Sequence, residues 1–150
     1  ILAGRRINDN MARYVARSTI QRMLQLGMDA PRCKVGIMGI TFKENCPDIR
    51  NSKVVDMVRE FAHWGMQVVV ADPVADPAEV QREYGIALGC IDAAHPVDVL
   101  VVAVGHSQYR AMQVADLRPL CRGERPVLAD VKALYVRHAA MALGFEVFRL

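Results

Sequence analysis

Long apolar runs, paired cysteine motifs and clustered histidines are all missing from this sequence of 150 residues. The longest apolar run, 99–105, has about the length of a strand, whereas a membrane span needs about 20 residues. The four cysteines (Cys33, Cys46, Cys90 and Cys121) show no C-x-x-C spacing, which argues against a zinc site or a redox motif. We expect reduced thiols and a cytoplasmic protein. No signal-peptide pattern is present, and because the chain begins without methionine we expect a piece of a longer protein.

A strong excess of charge of one sign is also missing, since the net charge is +3. Residues 1–32 hold six arginines and two aspartates, a balance of +4, and residues 33–150 hold thirteen cations and fourteen anions, or −1. A nucleic-acid-binding domain would carry its basic excess on the folded domain. Here the excess lies on one N-terminal segment, so we expect no nucleic-acid partner. The composition, 53% hydrophobic and 23% charged, is that of one globular domain.

Apolar residues recur at two different spacings along the chain. From 5 to 26 they follow helical spacing, which Gly27 ends. From Lys34 onward, helical patterns alternate with short runs that are apolar at successive residues. Such runs are typical of a parallel sheet covered on both faces. We therefore predict an α/β fold, a Rossmann-like doubly wound parallel sheet of about six strands, preceded by a long N-terminal linker helix.

The predicted elements follow one another in a regular order. The strands are 34–39, 67–72, 86–88, 97–104, 127–131 and 145–149, and the later helices are 52–64, 77–84, 114–121 and 137–143. Ser52 is placed to cap helix 52–64 through its hydroxyl. Asp76 is placed to cap the next helix, which Gly85 closes.

Ligands of such a sheet bind at the carboxyl ends of the strands, where the strand order reverses. With the order 3-2-1-4-5-6, this point lies between strands 34–39 and 97–104. The loop 40–51 after the first strand has twelve residues, where about two to six are usual. It brings Lys43 and Arg50 to a helix N-terminus, an arrangement that suits a phosphate. Alternatively, these cations pair with Glu44 and Asp48 on a solvated loop.

Two further loops leave strands at the same edge of the predicted sheet. One carries His106 and Tyr109, and a single histidine after a strand is more often structural than catalytic. The other carries Asp130 and Lys132. Lys132 either meets a ligand phosphate or forms a surface pair with Asp130.

The dinucleotide-binding fingerprint G-x-G-x-x-G does not follow the first strand, where only Gly36 and Gly39 are present. Asp72 ends the second strand, where a ribose-binding acid would stand, but a turn before Pro73 explains it equally well. Cys46 lies near Lys43 without a neighbouring histidine base, so we do not expect it to be a nucleophile. No metal site is expected.

The loop segment Thr41-Phe-Lys-Glu-Asn-Cys-Pro-Asp-Ile-Arg-Asn-Ser52 follows Val35-Gly-Ile-Met-Gly39. Together with Arg5-Arg-Ile-Asn-Asp9, Asp72-Pro73, Ala103-Val-Gly-His106 and Asp130-Val-Lys132, it resembles the C-terminal domain of the UDP-glucose/GDP-mannose dehydrogenase family. The resemblance covers essentially the whole chain. The form F-K-E-N-x-x-D-x-R-N-S is more similar to the UDP-N-acetylhexosamine 6-dehydrogenase branch, enzymes of polysaccharide biosynthesis, than to the UDP-glucose branch.

This resemblance implies a division of labour between two halves of a longer enzyme. Residues 1–32 would end the central linker and dimerisation helix, and residues 33–150 would form the C-terminal domain that binds the UDP of a nucleotide sugar. The missing N-terminal domain would bind NAD. The nucleophilic cysteine, which forms a thiohemiacetal with the C6 aldehyde between two hydride transfers, would precede this chain. The fragment itself is therefore expected to be inactive, with no catalytic residue of its own.

The resemblance also implies roles for individual residues. Lys43 would contact the nucleotide sugar, Phe42 would pack near the uracil or its loop, and Lys132 would lie near the substrate. Arg50 would approach NAD or the domain interface. The partners implied are a UDP-sugar and a second copy of the chain, joined through the N-terminal helix, with no membrane. The alternative is a non-catalytic Rossmann-like module that serves mainly dimerisation.

Overall fold

A computed structural model describes the backbone of residues 2–150 and the side chains of residues 10–150. The segment Arg5-Arg-Ile-Asn-Asp9, which is part of the family resemblance, therefore lies outside the described side chains. The helices are α1 (Leu2–Gln25), α2 (Val54–His63), α3 (Pro77–Tyr84), α4 (Ser107–Arg110), α5 (Val114–Leu117) and α6 (Arg137–Ala142), with 3-10 turns at Ala30–Arg32 and Arg118–Leu120. The strands are β1 (Lys34–Met38), β2 (Gln67–Ala71), β3 (Val99–Val102), β4 (Val127–Asp130) and β5 (Glu146–Arg149). None of the described helices is long and apolar enough to cross a bilayer.

The five strands form one parallel sheet in the order β2-β1-β3-β4-β5. The predicted number of about six is wrong by one. The segment 86–88 makes only an isolated bridge, Leu88 to Val70, at the outer edge of β2. Glycines at 85 and 89 bound this segment, and Gly85 is in the left-handed conformation, so only one residue is aligned with β2. The rest of the predicted strand order is confirmed, because β1 pairs with β2 on one side and with β3 on the other.

Both faces of the sheet are covered, which explains why the strands are apolar at every residue. On one face, α1 and α2 contribute Ile20, Met23 and Phe61, which pack against Ile37 and Val101. On the other face, the short helices cover a second cluster, whose largest buried members include Leu100, Leu117, Leu128 and Phe145. The sheet is therefore the middle layer of three.

Helix α1 packs on this sheet through one face. Its buried side chains are Ala12, Val15, Ala16, Thr19, Ile20 and Met23. Ion pairs fix its flanks: the side chain of Arg17 donates to Glu60 at 2.9 Å and that of Arg22 to Glu146 at 3.0 Å. This helix is expected to join two copies of the chain; of its apolar residues, Val15 is 1% exposed within its own domain, whereas Met11 and Tyr14 are exposed.

The predicted cap of α2 is wrong. The helix begins at Val54, and the residue before it, Lys53, already has a helical conformation (φ −76°, ψ −15°). Ser52 is therefore one residue too early to reach the first free amides. Its hydroxyl is buried and finds no hydrogen-bond partner among the described residues. Asp76, in contrast, caps α3 as predicted by accepting the N–H of Ala78.

Candidate functional site

A cleft of about 550 Å³ opens at the carboxyl edge of the sheet, beside β1 and β3, where the strand order reverses. Its walls come from five parts of the chain: the N-terminal half of α1, the loop 39–53 after β1 (the β1 loop), the start of α2, the segment 103–105 after β3, and residues 131–132 after β4. The carboxyl ends of parallel strands meet at one edge, so these loops are brought together by the topology itself.

The three side chains predicted at a substrate site all line this cleft. Phe42 is 59% exposed on the β1 loop, and Lys43 and Lys132 are exposed on two different loops. No described residue forms an ion pair or hydrogen bond with either of these two ammonium groups. Lys53 also lines the cleft, and Val54, Met57 and Val104 form part of its apolar wall. The arrangement combines an exposed aromatic ring with separated cations.

Arg50, predicted to approach a cofactor, does not line the cleft. Its guanidinium donates to both carboxylate oxygens of Asp48, at 3.0 Å each. The side-chain and backbone hydrogen bonds from Arg50 lower the pKa of Asp48 to about 2. The pairing considered for this loop is thus confirmed for Arg50 but wrong for Lys43, because Glu44 pairs with Arg110 at 3.1 Å.

Asp130 and Lys132 do not form the surface pair considered above. Asp130 is 1% exposed, and its two carboxylate oxygens accept the N–H groups of Leu134 and Tyr135 at 2.9 Å. This turn includes Ala133 in the left-handed region, with φ +54°. Asp130 therefore shapes the turn that carries Lys132 to the rim of the cleft.

A buried polar network lies beneath the β1 loop. One oxygen of Asp72 accepts the N–H of Ile40 at 2.7 Å and lies 3.0 Å from Nε2 of His106, and its other oxygen accepts the N–H groups of Val74 and Ala75. The Asp72 and His106 side chains are fully buried. Burial raises the pKa of Asp72, but these hydrogen bonds outweigh it and hold the pKa below its ordinary value. The turn interpretation of Asp72 is confirmed, and the carboxylate does not face a ligand.

His106 has the structural role that was favoured for it. Its Nδ1 accepts the backbone N–H of Asn45 at 3.0 Å, so the proton of the neutral ring is on Nε2, which donates to Asp72. Tyr109 on the same loop is buried, and burial raises the pKa of its phenol. Asn45 was missed by the sequence analysis. The signal available was its residue type, since asparagine is enriched at positive φ, and Asn45 has φ +59°.

Metal-ligating side chains do not converge in the part of the chain whose side chains are described, where no group of three or more His, Cys, Asp or Glu residues is placed to hold an ion. The cleft instead offers ammonium groups and an exposed aromatic ring. These groups suit a phosphorylated ligand with a planar ring.

Comparison with known proteins decides the family. Residues 36–137 match the family model described as UDP-glucose/GDP-mannose dehydrogenase family, UDP binding domain. The chain belongs to this family. Among its relatives, UDP-N-acetyl-D-glucosamine 6-dehydrogenase of Salmonella typhi is 44% identical over 133 residues, which are 88% of this chain and 31% of the relative. The protein of the same name from Pseudomonas aeruginosa is 42% identical, over 89% of this chain and 32% of the relative.

A solved structure has a fold similar to that of this chain. The NDP-N-acetyl-D-galactosaminuronic acid dehydrogenase of Methanosarcina mazei Go1 superposes with a TM-score of 0.87 at 21% identity, over 99% of this chain and 30% of that one. This similarity concerns the fold. The chain spans about a third of the length of these family members.

Proposed function

We propose that this chain is the substrate-nucleotide-binding part of an NAD-dependent nucleotide-sugar 6-dehydrogenase, which oxidises the C6 alcohol of a UDP-sugar to the uronic acid. The observation that carries the proposal is the convergence of Phe42, Lys43 and Lys132 on one cleft at the switch point of the sheet. The names of the relatives and the match to the family's UDP-binding domain support the same function.

In this proposal the two lysines bind the pyrophosphate. Both ammonium groups are exposed in the cleft and are unpaired with any described side chain, so an anion there displaces only water. A charge-assisted hydrogen bond in such a site contributes roughly 1.5–3 kcal/mol. Phe42 presents an exposed ring at the same cleft, and we assign it to the uracil or to the loop around it.

NAD would be bound mainly by the part of the enzyme outside this chain. The first β-strand is followed by the long β1 loop, residues 39–53, rather than by G-x-G-x-x-G, so the chain has no dinucleotide cradle at that turn. When bound, NAD supplies the hydride acceptor. Arg50 is exposed outside the cleft, and we assign it to the NAD side or to the interface with the rest of the enzyme. We expect the chain alone to be inactive, and the enzyme to act in the cytoplasm in polysaccharide biosynthesis.

Residues 1–32 are proposed to end a linker and dimerisation helix, and residues 33–150 to form the UDP-binding domain. Two copies would meet through α1. The second candidate function is a non-catalytic module that serves mainly dimerisation, which the exposed Met11 and Tyr14 on α1 favour. Binding of UDP distinguishes the two, since a dimerisation module has no need of it.

The test is calorimetric titration of UDP into the wild-type chain and into Lys43→Ala and Lys132→Ala at fixed salt. Each substitution is expected to weaken binding by about ten- to a hundredfold, because each 1.4 kcal/mol is about a factor of ten. The melting temperature should stay nearly unchanged, because exposed lysines contribute little to folding. Lys34→Ala, at the opposite end of β1, is the matched control and should bind UDP like wild type. Equal affinity of all four proteins would refute the assignment of the cleft.

A further inference from the structure

His106 connects three segments directly beneath the candidate nucleotide cleft. It follows β3, its Nε2 lies 3.0 Å from Asp72 at the end of β2, and its Nδ1 accepts the N–H of Asn45 in the β1 loop. We propose that His106 is a positioning residue, which holds the β1 loop in the shape that presents Phe42 and Lys43 to the cleft. The identity of the ligand rests on the proposed function, whereas the positioning itself does not.

Two sets of hydrogen bonds, one before and one after the segment 42–44, anchor it to the rest of the domain. At its start, the N–H of Ile40 and, at 3.3 Å, that of Thr41 point at the Asp72 carboxylate, and the Thr41 hydroxyl donates to the carbonyl of Lys43 at 2.9 Å. At its end, the N–H of Asn45 is held by His106. Only three residues lie between these anchors, and within the segment the N–H of Phe42 also donates to the carbonyl of Asp48 at 2.7 Å. Both anchors and this bond determine where the Phe42 and Lys43 side chains emerge.

The second anchor holds a backbone conformation that is uncommon for residues other than glycine. Asn45 has φ +59°, in the left-handed region. Its N–H is bound by His106, and its side-chain oxygen accepts the N–H and the hydroxyl of Ser107 at 2.9 and 3.0 Å. His106 and Ser107, which are consecutive in the chain after β3, therefore both bind Asn45, one through its backbone and the other through its side chain. Without the imidazole, Asn45 itself keeps only its exposed contact with Ser107 among the described residues.

The direction of the hydrogen bonds fixes the ring as well. Because the N–H of Asn45 points at Nδ1, that nitrogen must be the acceptor, and Nε2 must carry the proton toward Asp72. Asp72 is in turn fixed by the amides of Val74 and Ala75. The chain of contacts thus runs from the end of β2 through the imidazole to the β1 loop. A fully satisfied buried network of this kind specifies one geometry.

Two substitutions separate the contacts of the two ring nitrogens, of which Nε2 also lies 3.2 Å from the Thr41 hydroxyl. His106→Asn keeps an amide oxygen near the position of Nδ1, where it can accept from Asn45, but it is too short to reach Asp72. His106→Gln keeps a donor near the position of Nε2 and loses the acceptor for Asn45. We expect His106→Gln to weaken UDP binding by about tenfold and to abolish protection of the Asn45 amide from hydrogen exchange. His106→Asn should retain most of both.

Asp98→Asn is the control for a loss of stability alone. Asp98 accepts the N–H of Lys34 and pairs with Arg122 at the opposite edge of the sheet, far from the cleft. It should lower the melting temperature without changing UDP affinity or Asn45 exchange. Should His106→Gln fail to fold, Asn45→Ala provides the second variant, because Asn45 is exposed and alanine disfavours the left-handed turn. It should weaken UDP binding to a similar extent.

The two measurements keep the two proposals apart. If the wild-type chain does not bind UDP, the proposed function fails, and hydrogen exchange measured without ligand still tests the positioning. Wild-type protection of Asn45 in His106→Gln would overturn the positioning role. Loss of protection and affinity in Asp98→Asn would also overturn it, by showing that overall stability is responsible.

Discussion

Within the β1 loop, the guanidinium of Arg50 donates to both carboxylate oxygens of Asp48 at 3.0 Å. The backbone N–H of Arg50 donates to the same carboxylate at 2.9 Å. The pair is entirely local, since its members are two residues apart. It therefore exists before any cofactor or partner arrives, and a ligand of Arg50 must compete with a bound carboxylate.

The pH dependence of this pair is the first prediction. The pKa of Asp48 is lowered from its ordinary value of 3.8 to about 2. A lowered folded-state pKa contributes stability that is present above about 3.8 and is lost as the pH falls toward 2. In Arg50→Gln, the pKa should return toward 3.8, measured by carbon NMR titration of the Asp48 carboxyl group. An unchanged titration in that variant would show that the guanidinium is not the cause.

The second prediction concerns the close approach of the β1 and β3 loops. Gly39 has φ +102°, and a Cβ there would lie 2.6 Å from Cβ of Val104. Gly39→Ala therefore combines backbone strain of about 1–2 kcal/mol with overpacking of about 1–3 kcal/mol, or roughly 2–5 kcal/mol in total. Denaturant unfolding measures this loss.

Gly27→Ala is the matched control for the glycine prediction. Gly27 also has positive φ, +78°, but no atom lies within 4 Å of its added Cβ. Only the backbone strain of about 1–2 kcal/mol should remain. Equal losses of unfolding free energy for the two variants would contradict the close packing of Gly39 against Val104.

The third prediction concerns the turn that carries Lys132. In Asp130→Ala, the partly buried amide of Leu134 and the buried amide of Tyr135 lose their acceptor, which should cost roughly 2–6 kcal/mol of unfolding free energy, since each unsatisfied amide costs about 1–3 kcal/mol. Asp92→Ala removes the same kind of acceptor from Ala94 and His95 in an exposed turn. There water replaces the carboxylate, and the loss should be below about 1 kcal/mol. Similar losses in thermal unfolding would argue against this role of Asp130.

The fourth prediction tests the proposed dimer. Met11 and Tyr14 are the described apolar side chains of the N-terminal half of α1 that are exposed, so they are the candidates for contact with a second copy. The double variant Met11→Lys, Tyr14→Lys should sediment as a monomer, whereas Leu24→Lys, exposed at the other end of the helix, should remain dimeric. Deleting the helix would be a poorer test, because Ile20 and Met23 belong to the core. A wild-type chain that is monomeric at high micromolar concentration would contradict the proposal.

The convergence of Lys43 and Lys132 was predictable because a parallel sheet brings the carboxyl ends of its strands to one edge, and the apolar runs located those strands. The Ser52 cap was not, because a shift of one residue in the start of α2 moves its hydroxyl out of reach of the free amides. Contacts such as Asp72 with His106 join residues 34 positions apart through the packed fold. No local pattern of the sequence encodes such a contact.

The length of helix α1 and its packing link its amino end to the cleft. It runs unbroken from Leu2 to Gln25, about 36 Å, and it contributes both to the core and to the cleft. Its C-terminal half is fixed in the core through Ile20 and Met23, while Met11 and Ala12 form a wall of the cleft. Because one unbroken helix joins them, we expect a movement of its amino end to displace that wall of the cleft. For the same reason, we expect a ligand that packs against this wall of the cleft to change the free energy needed to move the amino end of α1.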